Sequence, residues 1–196
     1  MNYSISRHFQ RYEYVAGMGY VTDKYTLDVG CGGGFGTIIL ASKAKEVWGI
    51  DPEMAKVLSE GKVQYSICPQ TNLTKVRFIG DDIFNVKVID GNTSVAIEIF
   101  EHVPDPDKFI ARLAEFSNEL FITTPLAEVT GKTVNPEHVA EYSEADFRKI
   151  LEKYFNIEKM VFQLSDLTIV DKASPNGCSY DPGHVVQMAW CKRKEK

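Results

Sequence analysis

Two stretches of this chain combine residue types and spacings that could do chemistry. The first is Asp28-Val29-Gly30-Cys31-Gly32-Gly33-Gly34-Phe35-Gly36, where an acid precedes five glycines in the seven positions Gly30 to Gly36. Glycine loses more backbone freedom on folding than any other residue, so such a run marks a place where something comes very close to the main chain. The second is Glu98-Ile99-Phe100-Glu101-His102, with carboxylates and an imidazole at i, i+3 and i+4. If the chain turns helically there, all three project to one side. Asn135-Pro136-Glu137-His138, with Glu141 close after, adds a second imidazole far along the chain. Carboxylates and imidazoles in this arrangement can move a proton or hold a divalent ion.

The glycine loop does not read as a dinucleotide site. Counting G-x-G-x-x-G from Gly30, Gly32 or Gly34 puts Phe35, Thr37 or Ile39 where Gly or Ala belongs. No G-K-[ST] follows, so it is not a phosphate-binding P-loop either. The pattern present is D-x-G-x-G-x-G, and Asp28 suits a ligand that carries an ammonium group rather than a pyrophosphate. Asp51 lies 21 residues after Gly30, where an acid can accept both hydroxyls of a ribose. Asp81 and Asp82 follow a third apolar run and can accept from an exocyclic adenine amine. Three acids at the ends of three successive strands describe an adenosine with a cationic amino-acid tail.

The elements that must position these residues follow from periodicity. Ile5, Phe9, Tyr12 and Ala16 predict an amphipathic helix over 4–18. Apolar runs predict strands at 25–29, 46–50, 76–79, 93–100 and 120–123, with late strands at 157–164 and 185–190. Helices are expected at 37–43, from Pro52 to about 59 with Asp51 as N-cap, from Asp105-Pro106 onward, and after the capping box Ser143-Glu144-Ala145-Asp146. Alternating strands and helices predict an α/β fold: a Rossmann-like, doubly wound, seven-stranded sheet. It should be mostly parallel, with an antiparallel edge strand and helices on both faces. Ligands then bind beyond the carboxyl ends of the strands. A loop around 174–183 and the leading helix should shape an acceptor pocket. The expected organisation is one domain over 1–196, with residues 1–20 as a lid and 21–196 as the core.

Bulk properties exclude several classes. The 196 residues carry a net charge of −5, which disfavours binding of long nucleic acid. The basic Lys192-Arg193-Lys194 reads as a solubilising tail. Cys31, Cys68, Cys178 and Cys191 show no C-x-x-C spacing, and without a signal peptide they read as reduced, cytoplasmic thiols. No apolar run approaches the ~20 residues that span a bilayer. Oligomeric state is not legible.

With these residues in place, the sequence resembles the class I S-adenosylmethionine-dependent methyltransferases. LDVGCGGGFG looks like their first motif, GIDPE their second and VRFIGDD their third. The resemblance implies S-adenosylmethionine as cofactor. It would be held by Asp28, Gly30, Cys31, Gly32, Gly34, Asp51, Pro52 and Asp81, main-chain groups near Asp82 and Ile83, and Glu98. In place of the Gly-rich turn frequent before strand five, this chain has Ser117-Asn118-Glu119. E-x-x-E-H-V-P-D-P is similar to the O-methyltransferases of ubiquinone biosynthesis, and N-P-x-H-x-x-E to methyltransferases found beside glycan-synthesis genes. E-x-x-E-H followed by His138-Val139-Ala140-Glu141-Tyr142-Ser143 is also similar to small-RNA ribose 2′-O-methyltransferases, which use such side chains on a metal.

All three resemblances imply a hydroxyl acceptor, on a phenol, quinone or sugar, or at an RNA end. A non-catalytic cofactor-binding module and a nicotinamide oxidoreductase are the other classes; the E-x-x-E-H stretch and the failed G-x-G-x-x-G speak against them. Three roles stay open for Glu98, Glu101, His102 and His138. His102 could be a general base, assisted by Glu101 and His138. All four could hold Mn²⁺, Zn²⁺ or Fe²⁺ (less readily Mg²⁺). Or Glu98 could touch the cofactor while Glu101 and His102 cap a loop. Arg11, on the leading helix, is a candidate for the cofactor's carboxylate.

Overall fold

The computed structural model describes residues 3–63, 71–87, 89, 91–127, 135–172 and 185–195. His184, Cys68, Cys178 and the 174–183 loop lie outside them. Helices are α1 (Tyr3–Gly17), α2 (Phe35–Ala41), α3 (Met54–Ser59), α4 (Pro106–Phe116) and α5 (Glu144–Leu151). Strands are β1 (Tyr25–Val29), β2 (Glu46–Ile50), β3 (Val76–Ile79), β4 (Gly91–Ala96), β5 (Ser117–Pro125), β6 (Phe155–Gln163), β7 (Ile169–Val170) and β8 (Val186–Arg193).

They form one eight-stranded sheet in the order β3-β2-β1-β4-β5-β8-β6-β7. The first five pair in parallel, so their carboxyl ends share one edge. The expected doubly wound α/β sheet is present, with two differences. The count is eight rather than seven, because the two-residue β7 adds to β6 as a last antiparallel strand. The long antiparallel strand is not at the edge: β8 lies between β5 and β6 and runs antiparallel to both.

Strand residues alternate between two cores, as the period of two requires. Leu27, Val29, Leu120, Ile122, Ala189 and Cys191 face one way, onto Phe109, Ile110 and Leu113 of α4 and Phe147 and Leu151 of α5. Phe121, Met188 and Trp190 face the other way, together with Val47 and Val95, onto Tyr12, Val15 and Ala16 of α1 and Ile39 and Leu40 of α2. The caps follow the sequence at two helices. Asp105 accepts from the Lys108 N–H at 3.0 Å, and Ser143 Oγ accepts from the Asp146 N–H at 3.0 Å. At α3 the start falls later than expected. Pro52 and Glu53 form a turn, and Asp51 caps it by accepting from the Glu53 N–H at 2.8 Å. At Ser117-Asn118-Glu119 there is no turn: Ser117 closes α4 and opens β5 directly.

Candidate functional site

The glycine loop links β1 to α2 and is left-handed at three points, Gly30 (φ +77°), Gly32 (+51°) and Gly34 (+81°). A Cβ on Gly30 would sit 2.8 Å from Ile99, and one on Gly34 would sit 2.8 Å from Phe78. At Gly32 a Cβ would meet nothing within 4 Å. Two glycines therefore serve packing, while Gly32 faces open space in a conformation that disfavours side chains. The loop amides bond within the protein. Gly30 and Cys31 N–H donate to the Ile50 carbonyl, Gly34 N–H to the Cys31 carbonyl, and Gly32 N–H to Asp51 Oδ2 at 2.9 Å. The loop offers close main-chain approach rather than a ring of phosphate-binding donors, which fits a nucleoside ligand without phosphate.

Asp51 is half-buried at the end of β2, and its two oxygens pin both the glycine loop and the turn before α3. Pro52 beside it is exposed. Beyond β3, Asp81 and Asp82 are exposed and Ile83 is buried. Asp81 accepts from the Asp82 N–H and from Asn85, and Asp82 from the Phe84 N–H, so this loop too is built around its own acids.

Asp28, expected from the sequence to meet an ammonium group, is engaged within the protein. It is fully buried, and both oxygens are taken: Oδ1 by the Tyr12 hydroxyl at 2.9 Å and Oδ2 by the Thr37 hydroxyl at 2.6 Å. Burial pushes its carboxyl up to about 7, against the two hydrogen bonds, which favour the charged form. Asp28 thus fastens α1 and α2 beneath the glycine loop. The sequence marks Tyr12 only as part of the apolar face of the leading helix and gives neither it nor Thr37 a place in the site; no local pattern links Tyr12 to an acid 16 residues away. The Tyr12 ring covers Gly36, where a Cβ would fall 2.1 Å from it. Arg11, the preceding residue on α1, is 2% exposed, and its Nε donates to Gln163 Oε1 at 2.7 Å.

The second constellation forms where β4 ends. Extended pairing stops at Ala96, and Glu98 takes a left-handed conformation (φ +53°) rare for a residue with a side chain. Phe100–His102 then make one 3₁₀ turn, with Phe100 buried against Tyr142 and Phe147. The distant segment is stitched on through the main chain: the Val139 N–H donates to the Glu101 carbonyl at 2.8 Å. The result brings Glu101, His102 and His138 together, with one ligand atom of each within 4.8 Å of the others. The two rings stand edge to face with centroids 5.0 Å apart.

Each ring is oriented from behind. His102 Nδ1 lies 2.9 Å from the Glu137 carbonyl oxygen, and His138 Nδ1 lies 3.2 Å from Glu141 Oε1. With Nδ1 engaged, each Nε2 is the nitrogen left to act. Glu101 is buried and accepts from the Thr124 hydroxyl at 3.1 Å; burial first and Glu98 next push its carboxyl above the usual range. Glu98 does not join this cluster. It pairs with Arg11 at 3.4 Å and accepts from Thr123 at 3.0 Å. One carboxylate and two imidazoles therefore form a mixed O and N donor set of the kind that holds Zn²⁺, Mn²⁺ or Fe²⁺ with positions left open.

A family model described as "Methyltransferase domain" matches residues 27–116, from β1 through α4. A ubiquinone biosynthesis O-methyltransferase of Pseudoalteromonas translucida is 31% identical over 113 residues, covering 58% of this chain and 44% of that protein. The chain spans about half the length of the curated relatives it matches. Among solved structures, the N-methyltransferase NodS of Bradyrhizobium japonicum, in complex with S-adenosyl-L-homocysteine, superposes with a TM-score of 0.69 at 15% identity, covering 96% of this chain and 87% of that one. Magnesium protoporphyrin IX methyltransferase of Synechocystis, with bound S-adenosylmethionine, gives 0.68 at 18% identity, covering 96% and 81%. No helix among the described residues is long and apolar enough to cross a membrane. The segment that matches the methyltransferase domain model carries the glycine loop and both acidic loops, and the whole sheet shares its fold with these methyltransferase structures.

Proposed function

We propose that this protein transfers the methyl group of S-adenosylmethionine to a hydroxyl of a small molecule, and that the acceptor is activated at Glu101, His102 and His138. The observation that carries this is the convergence of those three side chains, from two segments 36 residues apart, on the carboxyl edge of the sheet. The sulfonium brings its own electrophilic methyl, so the protein must align donor and acceptor and exclude water. A hydroxyl acceptor must lose its proton as it attacks, and two imidazoles beside a carboxylate are equipped to take it or to hold an ion. Glu101, His102 and His138 would be the ligands of a divalent metal, which lowers the pKa of a bound hydroxyl. Glu141 and the Glu137 carbonyl would keep the two rings in the required orientation. The 30% identity with enzymes named for ubiquinone O-methylation supports a phenolic acceptor over a ribose at an RNA end, as does the negative net charge.

The test is calorimetric titration with S-adenosylhomocysteine, then a methyl-transfer screen over phenols, catechols and sugars with and without Mn²⁺ or Zn²⁺. Glu101→Ala and His138→Ala should each abolish metal-stimulated transfer. Full activity in chelator, lost only in His102→Ala, would replace the metal by His102 acting alone as general base. Transfer to an amine acceptor and to no hydroxyl would overturn the proposal.

A further inference from the structure

Arg11 is a buried cation whose satisfaction is incomplete. Its Nε is bonded to Gln163, but Nη1 is buried and has no hydrogen-bond partner among the described residues. Its nearest anion, Glu98 Oε2, is 3.4 Å away, an ion pair without hydrogen-bond geometry. A guanidinium is suited to take a carboxylate in a two-point grip, which Glu98 does not supply here. Glu98 is itself under constraint. It sits at φ +53°, with its N–H 3.1 Å from Thr123 Oγ1 and its Oε1 bonded by the same hydroxyl. Backbone conformations of this kind persist where the surroundings impose them, and they gather at sites of function.

The position of the pair matters. The next residue on α1, Tyr12, bonds Asp28 under the glycine loop, and the residue after Glu98, Ile99, packs against Gly30. Three residues past Glu98 is Glu101, in the imidazole cluster. Arg11–Glu98 therefore lies between the glycine loop and the candidate metal site.

We propose that Arg11 couples these two halves, holding Glu98 away from the Glu101–His102–His138 cluster until the carboxylate of the cofactor's amino-acid end takes Glu98's place. Glu98 is then free to turn toward the cluster and add an oxygen ligand. Coupling is reciprocal, so metal would strengthen cofactor binding by the same factor. This rests on the reading of the cluster as a metal site.

The experiment is a Co²⁺ titration followed by visible absorption, on the protein alone, with S-adenosylhomocysteine, and with methylthioadenosine, which lacks the amino-acid tail. S-adenosylhomocysteine should tighten Co²⁺ binding about tenfold, within the usual range of such couplings, and methylthioadenosine should not. Arg11→Met should bind Co²⁺ tightly without any nucleoside. Glu98→Gln should bind Co²⁺ but lose the response. If the wild-type protein takes up no Co²⁺, or His138→Ala binds it equally well, the metal reading fails and the coupling with it. If Co²⁺ binds through His138 but the two nucleosides act alike, the coupling alone is overturned; that comparison needs no variant of Arg11.

Discussion

Gly32 and Gly61 form a matched pair for asking whether the glycine loop is a ligand cradle. Both are left-handed, at φ +51° and +63°, and at both a Cβ would meet nothing within 4 Å. Alanine at either position costs the fold about 1 kcal/mol for the left-handed backbone. In a domain of this size that lowers the midpoint of thermal unfolding by roughly 2–4 °C, equally for the two variants. Their ligand affinities should part. At Gly32 the open space is where the cofactor's close approach is expected, and crowding a well-fitted contact by one methyl costs about 1–3 kcal/mol. That is a loss of roughly five- to 150-fold in affinity. Gly61, past the end of α3, should bind as wild type. Calorimetric titration with S-adenosylhomocysteine, alongside thermal unfolding, reads both effects. Equal affinities in the two variants, with equal melting shifts, would refute the assignment of Gly32 to the cofactor surface.

Asp28 makes stability depend on pH. Its carboxyl titrates near 7 when folded and near 3.8 when unfolded, so between those values the folded protein holds a proton that the unfolded chain has lost. Its contribution is complete below about pH 4 and is lost as pH rises to 7, by about 4 kcal/mol in all. Asp28→Asn should flatten that part of the curve of unfolding free energy against pH; an unchanged slope would assign it to other groups. Gly36→Ala drives a methyl into the Tyr12 ring and should destabilise by about 1–3 kcal/mol. The cost should shrink in a Tyr12→Leu background, since touching sites are not additive, and equal costs would place the clash elsewhere. Phe100→Ala removes the ring that seats the turn carrying Glu101 and His102, and denaturant unfolding should show a loss of about 3–5 kcal/mol. A loss below 1 kcal/mol would mean that the turn is held by its hydrogen bonds alone.

Strands β1, β2 and β3 were legible to the residue because each is an apolar run with polar or glycine residues at its ends. The apolar run predicts β4 as far as Phe100, because Ile97, Ile99 and Phe100 continue it, but the strand ends at Ala96; the left-handed turn at Glu98 that breaks the run has no glycine to announce it. In the site, the sequence could place acids and imidazoles on the correct edge, since strand ends follow from the fold. It could not show which of them pair with each other. Asp28 with Tyr12 and Thr37, and Arg11 with Gln163 across 152 residues, are contacts made only when α1 and α2 lie down on the sheet. The same limit explains Glu98: its spacing from Glu101 suggested a shared face, while its partners lie on α1 and β5.

The place of β8 in the sheet bears on how the chain is made. It is the last of the eight strands to leave the ribosome, yet it fills the gap between β5 and β6 and bonds along its length to both. Until it emerges, β5 and the β6 segment present open hydrogen-bonding edges, the feature by which strands recruit the wrong partners. The parallel half, β1 to β5, pairs without it. Synthesis should therefore pass through a stage in which the glycine loop is built while one side of the sheet is still unsealed. A chaperone that shields strand edges would act at that stage, and a translational pause shortly before β8 would prolong the exposure.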